Sequence, residues 1–280
     1  MRNLQGKKAL ITGAASGIGR ALALALAHAG ADLYLLDIDE ENLAETAREA
    51  QASGGAVKTL VCDLTQSAAI SAAVSAVLAE WGALNILVNN AGIAHYGATH
   101  EMSAAQWERL MSLNLLAPIQ MTRALIPTLL AQDEAHVLNI CSIFGLVPLR
   151  RGAAYQVSKF GLVGLSTALR AEYGRDMGVT ALCPGFVRTA LLDTLAGDDS
   201  GNPRSPVPDW LAARPEKVAA VAIRAIRTNR ALVVITPLAR FIWWIARLAP
   251  GRLSCWLARH SPRLVGWLAN PRWRGKRAAG

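Results

Sequence analysis

The stretch Lys8-Ala-Leu-Ile-Thr12-Gly13-Ala-Ala-Ser16-Gly17-Ile18-Gly19 decides the fold. Its first five residues read as a short buried strand. Gly13, Gly17 and Gly19 then make a turn, and residues 20–29 form an apolar, Ala- and Leu-rich helical run. Strand, glycine turn and helix in that order make a glycine pattern an expectation of dinucleotide binding. Glycine permits the tight turn and the close approach of backbone to a pyrophosphate. The free N–H groups of the helix start then face the anion. The spacing is Gly-x-x-x-Gly-x-Gly, not Gly-x-Gly-x-x-Gly, so a plain strand-to-helix turn is the competing reading.

The next strand ends in Asp37, eighteen residues after Gly19. A carboxylate there accepts hydrogen bonds from ribose hydroxyls and repels a 2′-phosphate, which favours NAD over NADP. Arg20 and the Lys7-Lys8 pair are the nearby cations that argue the other way. The competing role for Asp37, helix N-cap, is better filled by Asp39. A strand over 57–62 ends at Asp63, and one over 85–88 runs into Asn89-Asn90-Ala91-Gly92. Both polar ends fall where a parallel sheet meets its ligand crevice. With further strands near 136–141, 178–182 and 231–235 and helices between them, the pattern is α/β: a doubly wound, parallel, seven-stranded sheet with helices on both faces.

Tyr155 and Lys159 stand four apart on one helical segment, with Ser142 thirteen residues before the tyrosine. Residues at that spacing share a helix face. An ammonium beside a phenol stabilises the phenolate and makes it a usable acid and base near neutral pH. A serine from the preceding loop can hold the substrate oxygen. Taken alone, the pair also reads as a solvated helix face; the glycine turn gives it weight.

Together these residues resemble a short-chain dehydrogenase/reductase of the single-domain type. The motifs are Thr12-Gly13-x-x-x-Gly17-x-Gly19, Asp63, Asn89-Asn90-Ala91-Gly92, Asn114, Ser142, Tyr155-x-x-x-Lys159 and Pro184-Gly185 with Thr189, over roughly residues 6–235. The resemblance implies that Tyr155 is the acid/base and that Ser142 binds the substrate oxygen. Lys159 would hold the nicotinamide ribose and depress the tyrosine pKa, and Asn114 would support a proton relay to Lys159 through water. Asp63 would contact the adenine, with Asn90 beside the adenine ribose. Val187 and Thr189 would fix the nicotinamide carboxamide. Ser16, Ile18, Leu64, Ala91, Gly92, Pro184 and Gly185 complete the implied cofactor contacts. The rival is a non-catalytic dinucleotide sensor that docks through its tail, against which an intact Ser142–Tyr155–Lys159 set argues.

At 280 residues and 52% hydrophobic content, a large core is available. The division expected is a catalytic domain over 1–236 and a basic helical extension over 237–280. Cys62, Cys141, Cys183 and Cys255 show no Cys-x-x-Cys spacing, and the first three read as reduced core thiols. The five histidines show no ligand spacing, so no metal is expected. With no apolar leader before the first strand, a cytoplasmic location is expected, with an inner membrane face as the option.

Charge is unevenly placed. Residues 1–216 carry 16 basic and 20 acidic side chains, whereas 217–280 carry 13 basic and none acidic, so the tail sets the net +9. Five of the eight tryptophans also lie there. Leu238, Phe241, Ile242, Ile245 and Leu248 recur at helical spacing, and the pattern repeats at Leu253, Trp256 and Leu257 and at Leu264, Trp267 and Leu268. An amphipathic anchor on an anionic membrane fits this composition. A spanning helix fits less well, because Pro237 and Arg240 interrupt it. Packing over the cleft or on another subunit is the alternative, and no nucleic-acid module accompanies the charge.

The expected pocket walls are residues 93–98, 143–154 and 191–210, the last reading as a lid. Their side chains are mostly apolar: Ile93, Ile143, Phe144, Leu146, Leu149, Phe186, Leu191 and Leu192, with His95 at the mouth. They favour a lipophilic secondary alcohol or ketone over a polyol. The resemblance implies a homodimer or homotetramer through the helices around 103–130 and 152–173.

Overall fold

The computed structural model of the chain describes residues 1–148, 150–191 and 212–248. Strands β1 (Lys8–Thr12), β2 (Asp32–Asp37), β3 (Val57–Val61), β4 (Ile86–Asn89), β5 (His136–Ile140), β6 (Gly178–Cys183) and β7 (Leu232–Val234) alternate with helices. The helices are α1 (Gly17–His28), α2 (Glu40–Gln51), α3 (Ser67–Trp81), α4 (Ala104–Met111), α5 (Ala117–Leu130), α6 (Ala153–Tyr173), α7 (Pro215–Arg227) and α8 (Pro237–Leu248). All seven strands form one sheet in the order β3-β2-β1-β4-β5-β6-β7, and every pairing is parallel. The order reverses between β1 and β4, which opens a crevice at the carboxyl ends of those strands.

The strand positions follow the sequence pattern closely because inner parallel strands are buried on both faces and read as continuous apolar runs. Side chains still alternate. Ala9 and Ile11 of β1 enter the layer that holds α1, α2 and α7, and Leu10 enters the layer that holds α3 and α5. Leu10 is fully buried, and each such leucine contributes roughly 1.5–3 kcal/mol.

The helices depart from the sequence reading in two places. Helix α1 begins at Gly17, not at residue 20, after Ser16 in extended backbone. The glycines are thus both turn and first helical turn. The interval 103–130 is not one helix, because a π-turn at Ser112–Leu116 divides α4 from α5. Pro237 interrupts the 231–249 run as expected and opens the last helix, where no N–H donor is needed. Thr236 caps that start by accepting the Ala239 N–H at 3.2 Å. Asp39 caps α2 as expected, accepting the Asn42 N–H at 3.1 Å. Among the described residues no helix is long and apolar enough to cross a membrane. Leu149, Leu192, most of the expected lid, Cys255 and the repeats after Leu248 lie outside the described residues.

Candidate active site

At the β1 end, Gly13 and Gly17 have φ of 66° and 54°, in the left-handed region that favours glycine. A Cβ on Gly13 would stand 2.8 Å from the Ala91 Cα, and one on Gly19 would collide with the Gly13 carbonyl oxygen. The turn is therefore closed against its neighbours by backbone. The Asn90 side-chain amide donates to the carbonyls of Thr12 (3.0 Å) and Gly13 (2.9 Å), and Thr12 Oγ1 accepts the N–H groups of Asn90 (3.0 Å) and Ala91 (3.2 Å). Asn90 borders the cleft as expected, but its amide is spent on clasping the glycine turn.

Asp37 closes the β2 end. Its carboxylate accepts the N–H groups of Ala15 (2.9 Å), Ile38 (2.7 Å) and Asp39 (3.1 Å). Asp63 accepts from the Thr65 N–H (2.9 Å) and hydroxyl (2.8 Å), and these bonds first, then Arg109, hold its carboxyl below the usual range. The cations that argued for a 2′-phosphate are engaged elsewhere. Arg20 pairs with Glu49, Lys7 with Glu134, and Lys8 Nζ donates to the Trp81 carbonyl.

The chemistry-bearing side chains meet at the β5 and β6 ends. Ser142 follows β5 and Tyr155 lies in the first turn of α6, 6% and 4% exposed. The two side chains are hydrogen-bonded. Lys159, one turn on, lies with Nζ 5.7 Å from the centre of the Tyr155 ring and donates to the Ile140 carbonyl at 2.9 Å. Burial pushes the Tyr155 phenol up to about 12, although the Ser142 hydrogen bond opposes it. Burial also pulls the Lys159 ammonium down. Desolvation disfavours the charged form of each group, so it opposes the lowering of the phenol expected from Lys159.

The π-turn carries Asn114, fully buried. Its Oδ1 accepts the Ile93 N–H at 2.9 Å, and its amide donates to the Ile93 carbonyl (2.8 Å) and the Ser158 hydroxyl (3.2 Å). A Cβ on Gly92 would stand 3.1 Å from Asn114 Oδ1 and 3.6 Å from Lys159 Nζ, so glycine keeps that junction open. A bulge of this kind re-aims a side chain that a regular helix would point elsewhere.

One cleft of about 610 Å³ joins these ends. It is bordered by Gly13, Ser16, Gly17, Ile18, Asp37, Asp63, Leu64, Asn90, Ala91, Gly92, Ser142, Tyr155, Lys159, Pro184, Gly185, Val187 and Thr189. Gly19 and Asn114 stand behind that lining. Of the expected substrate contacts, Phe144 and Phe186 line the cleft, edge to face with centroids 5.9 Å apart, as do Ile93 and Leu191. Ile143 does not. It is 5% exposed and packs into a core cluster with Val147 and Leu162, because the short 3₁₀ turn Ile143–Gly145 sends adjacent side chains apart. Leu146 packs on that same cluster, and His95 is half-buried outside the lining. Sequence reasoning missed Arg109, Thr65 and Ile38. Ile38 carried a signal: an isoleucine beside a strand-end acid, 62% exposed.

The lining fits a dinucleotide. The first N–H groups of α1 lack intrahelical acceptors, a carboxylate closes β2, and glycines stand wherever the backbone must come close. Among the described residues no cluster could hold a metal ion. Cys62, Cys141 and Cys183 are buried free thiols, as expected.

The family model for short chain dehydrogenases matches residues 7–199. D-threitol dehydrogenase of Mycolicibacterium smegmatis is 36% identical over 222 residues, covering 79% of this chain and 85% of that protein. A short-chain dehydrogenase/reductase from Burkholderia phymatum, solved in complex with NAD, superposes with a TM-score of 0.78 at 28% identity, covering 88% of this chain and 95% of that one. A metagenomic short-chain oxidoreductase solved with NADP gives a TM-score of 0.71 at 34% identity, with 84% and 98% covered.

Proposed function

The chain belongs to the short-chain dehydrogenase family and is an oxidoreductase; from that premise we propose that it exchanges hydride between NAD and a lipophilic secondary alcohol or ketone. The observation that carries this reading is the buried Ser142–Tyr155–Lys159 set at one end of a cleft whose other end holds Asp37 and the glycine turn. Nicotinamide supplies the hydride chemistry when bound. The residues do the rest. Ser142 holds the substrate oxygen beside the Tyr155 hydroxyl. Tyr155 gives a proton to that oxygen in ketone reduction and takes one in alcohol oxidation. Burial raises the phenol and the Ser142 hydrogen bond lowers it, so the contact with Ser142 is the one that favours proton release. Lys159 places its Nζ 5.7 Å from the centre of the phenol ring, and Asn114, bonded to the Ile93 backbone and to Ser158, fixes the chain beside Gly92.

Asp37 supports NAD over NADP, because a 2′-phosphate would meet a carboxylate and no unengaged cation among Arg20, Lys7 and Lys8. Phe144, Phe186, Ile93 and Leu191 support an apolar substrate. On the same reading the protein works in the cytoplasm at a membrane face, as a homodimer or homotetramer. Leu116, Val157 and Phe160, each nearly half exposed on the π-turn and α6, support that assembly.

A series of secondary alcohols of increasing chain length tests the substrate class, read at the absorbance of reduced nicotinamide. Each added methylene should raise kcat/KM by about fourfold until the pocket is filled, as expected for roughly 0.8 kcal/mol per buried CH₂. Faster turnover of D-threitol than of every apolar alcohol would overturn the substrate assignment.

A further inference from the structure

Helix α8 carries apolar side chains on two opposite faces. The inner face, Ala239, Ile242, Trp243 and Ala246, packs on the cluster built by Cys141, Ile143 and Val147. The outer face presents Leu238, Phe241, Trp244 and Leu248, which are 38%, 62%, 57% and 77% exposed. Those four positions fall on one side of the helix by its 3.6-residue period, so they form a ridge and not a scatter. Arg240 and Arg247, seven residues apart, share one flank of it. The Arg240 guanidinium is tied to the Val234 carbonyl at 2.8 Å, and Arg247 stacks 5.7 Å from the Trp243 ring. Two aromatic and two leucine side chains in one exposed row mark a contact surface.

We propose that the outer face of α8 docks on an anionic lipid bilayer, with the ridge entering the headgroup boundary and the arginine flank meeting lipid phosphates. Charge selects this occupant. Residues 217–280 hold 13 Lys and Arg and no Asp or Glu. A second copy joined face to face through α8 would bring like charges together. The chain's own residues 249–280 add seven more cations and no acid, so folding them onto α8 would do the same. An anionic surface neutralises both sets, while tryptophan and leucine beside arginine suit the boundary between headgroups and acyl chains. A nucleic acid would take the charge but leave the ridge uncovered.

The placement of α8 gives the docking a consequence. A Cβ on Gly185, which lines the cleft, would stand 2.8 Å from Thr236 Oγ1 and 3.5 Å from the Ala239 Cβ. Phe144, another cleft residue, packs on the same cluster as the α8 inner face. Docking by the outer face thus holds the substrate side of the cleft one helix thickness from the bilayer. The ridge stands on exposure and charge alone and does not depend on the hydride chemistry proposed above.

The test uses the full chain and sedimentation with vesicles of phosphatidylcholine, with or without phosphatidylglycerol. Binding to the anionic vesicles, weakened by added sodium chloride, is expected. The triple variant Phe241→Ser, Trp244→Ser, Leu248→Ser should bind them about a hundredfold more weakly, since it removes the three most exposed apolar side chains of the ridge. Turnover of a water-soluble alcohol without lipid is expected to stay at the wild-type rate, which separates this proposal from the enzymatic one. All three side chains point outward, so folding should persist; circular dichroism checks it. Should the triple variant fail to fold, Arg247→Glu alone must lower anionic vesicle binding. Equal vesicle binding by wild type and variant, or none by either, would overturn the proposal. So would a shift from dimer to monomer in the triple variant with lipid binding intact, which would assign the ridge to a second copy.

Discussion

The two ends of the cleft are made of different material. Around β1 and β2 it is backbone: the Gly13 turn, the amides gathered on Asp37 and the Asn90 clasp leave side chains little to do except stay small. Around β5, β6 and α8 it is side chain: the polar group of Ser142, Tyr155 and Lys159, the Phe144 and Phe186 wall, and an apolar helix behind. A backbone site tolerates few residues and writes itself as glycine at fixed spacing. A side-chain site can change its walls without moving the chain, so one scaffold accepts many substrates.

That contrast can be broken or sharpened by substitution. Tyr155→Phe keeps the ring and removes the proton. It should lower kcat by about 10²–10⁴-fold while NAD affinity, measured by fluorescence titration, stays near wild type. A variant that kept the wild-type rate would dissolve the distinction, since the side-chain end would then do no chemistry. Gly19→Ala probes the backbone end. Its Cβ meets the Gly13 carbonyl, and overpacking of this kind costs about 1–3 kcal/mol, so Tm should drop by several degrees and NAD affinity with it. An unchanged melting curve would show that the turn has slack it is not credited with.

Asp37→Asn retains an acceptor for the Ala15 N–H but drops the charge, and should move the NADP-to-NAD ratio of kcat/KM about tenfold toward NADP. No movement would place cofactor choice elsewhere, with Arg109 the next residue to vary. A pH effect lies away from both ends, at His136 on β5, whose Nε2 meets the Thr180 hydroxyl at 2.8 Å. Burial, the largest cause, pushes its pKa down to about 3. The folded state thus holds it neutral while an unfolded chain would bind a proton below about 6.5. Stability is full above that pH and falls as pH drops toward 3, by up to about 1.4 kcal/mol per pH unit from this group. Denaturant titrations of wild type and His136→Gln across that window should show a shallower slope in the variant.

Several features were legible in the sequence because they are local. The seven strands are apolar runs between turns, Asp39 is a helix cap in the ordinary position, and Tyr155 and Lys159 are one helical turn apart. What was not legible depends on distant partners. Ile143 and Phe144 are neighbours in sequence and equally apolar, yet one enters the core and the other the cleft, because the Ser142 hydroxyl takes the Phe144 N–H and fixes the turn between them. Asn114 is a plain helical residue until the π-turn rotates it onto Ile93.

By itself, then, the order of residues determined the sheet, the glycine turn, the spacing of Ser142, Tyr155 and Lys159 and the one-sided charge of the tail. These follow from backbone sterics, side-chain period and composition, none of which needs a partner from elsewhere in the chain. Tertiary structure decided the rest: which apolar side chains face the cleft, and which face of α8 is left bare. Burial, likewise a property of everything packed around a group, raises the Tyr155 phenol and lowers the Lys159 ammonium.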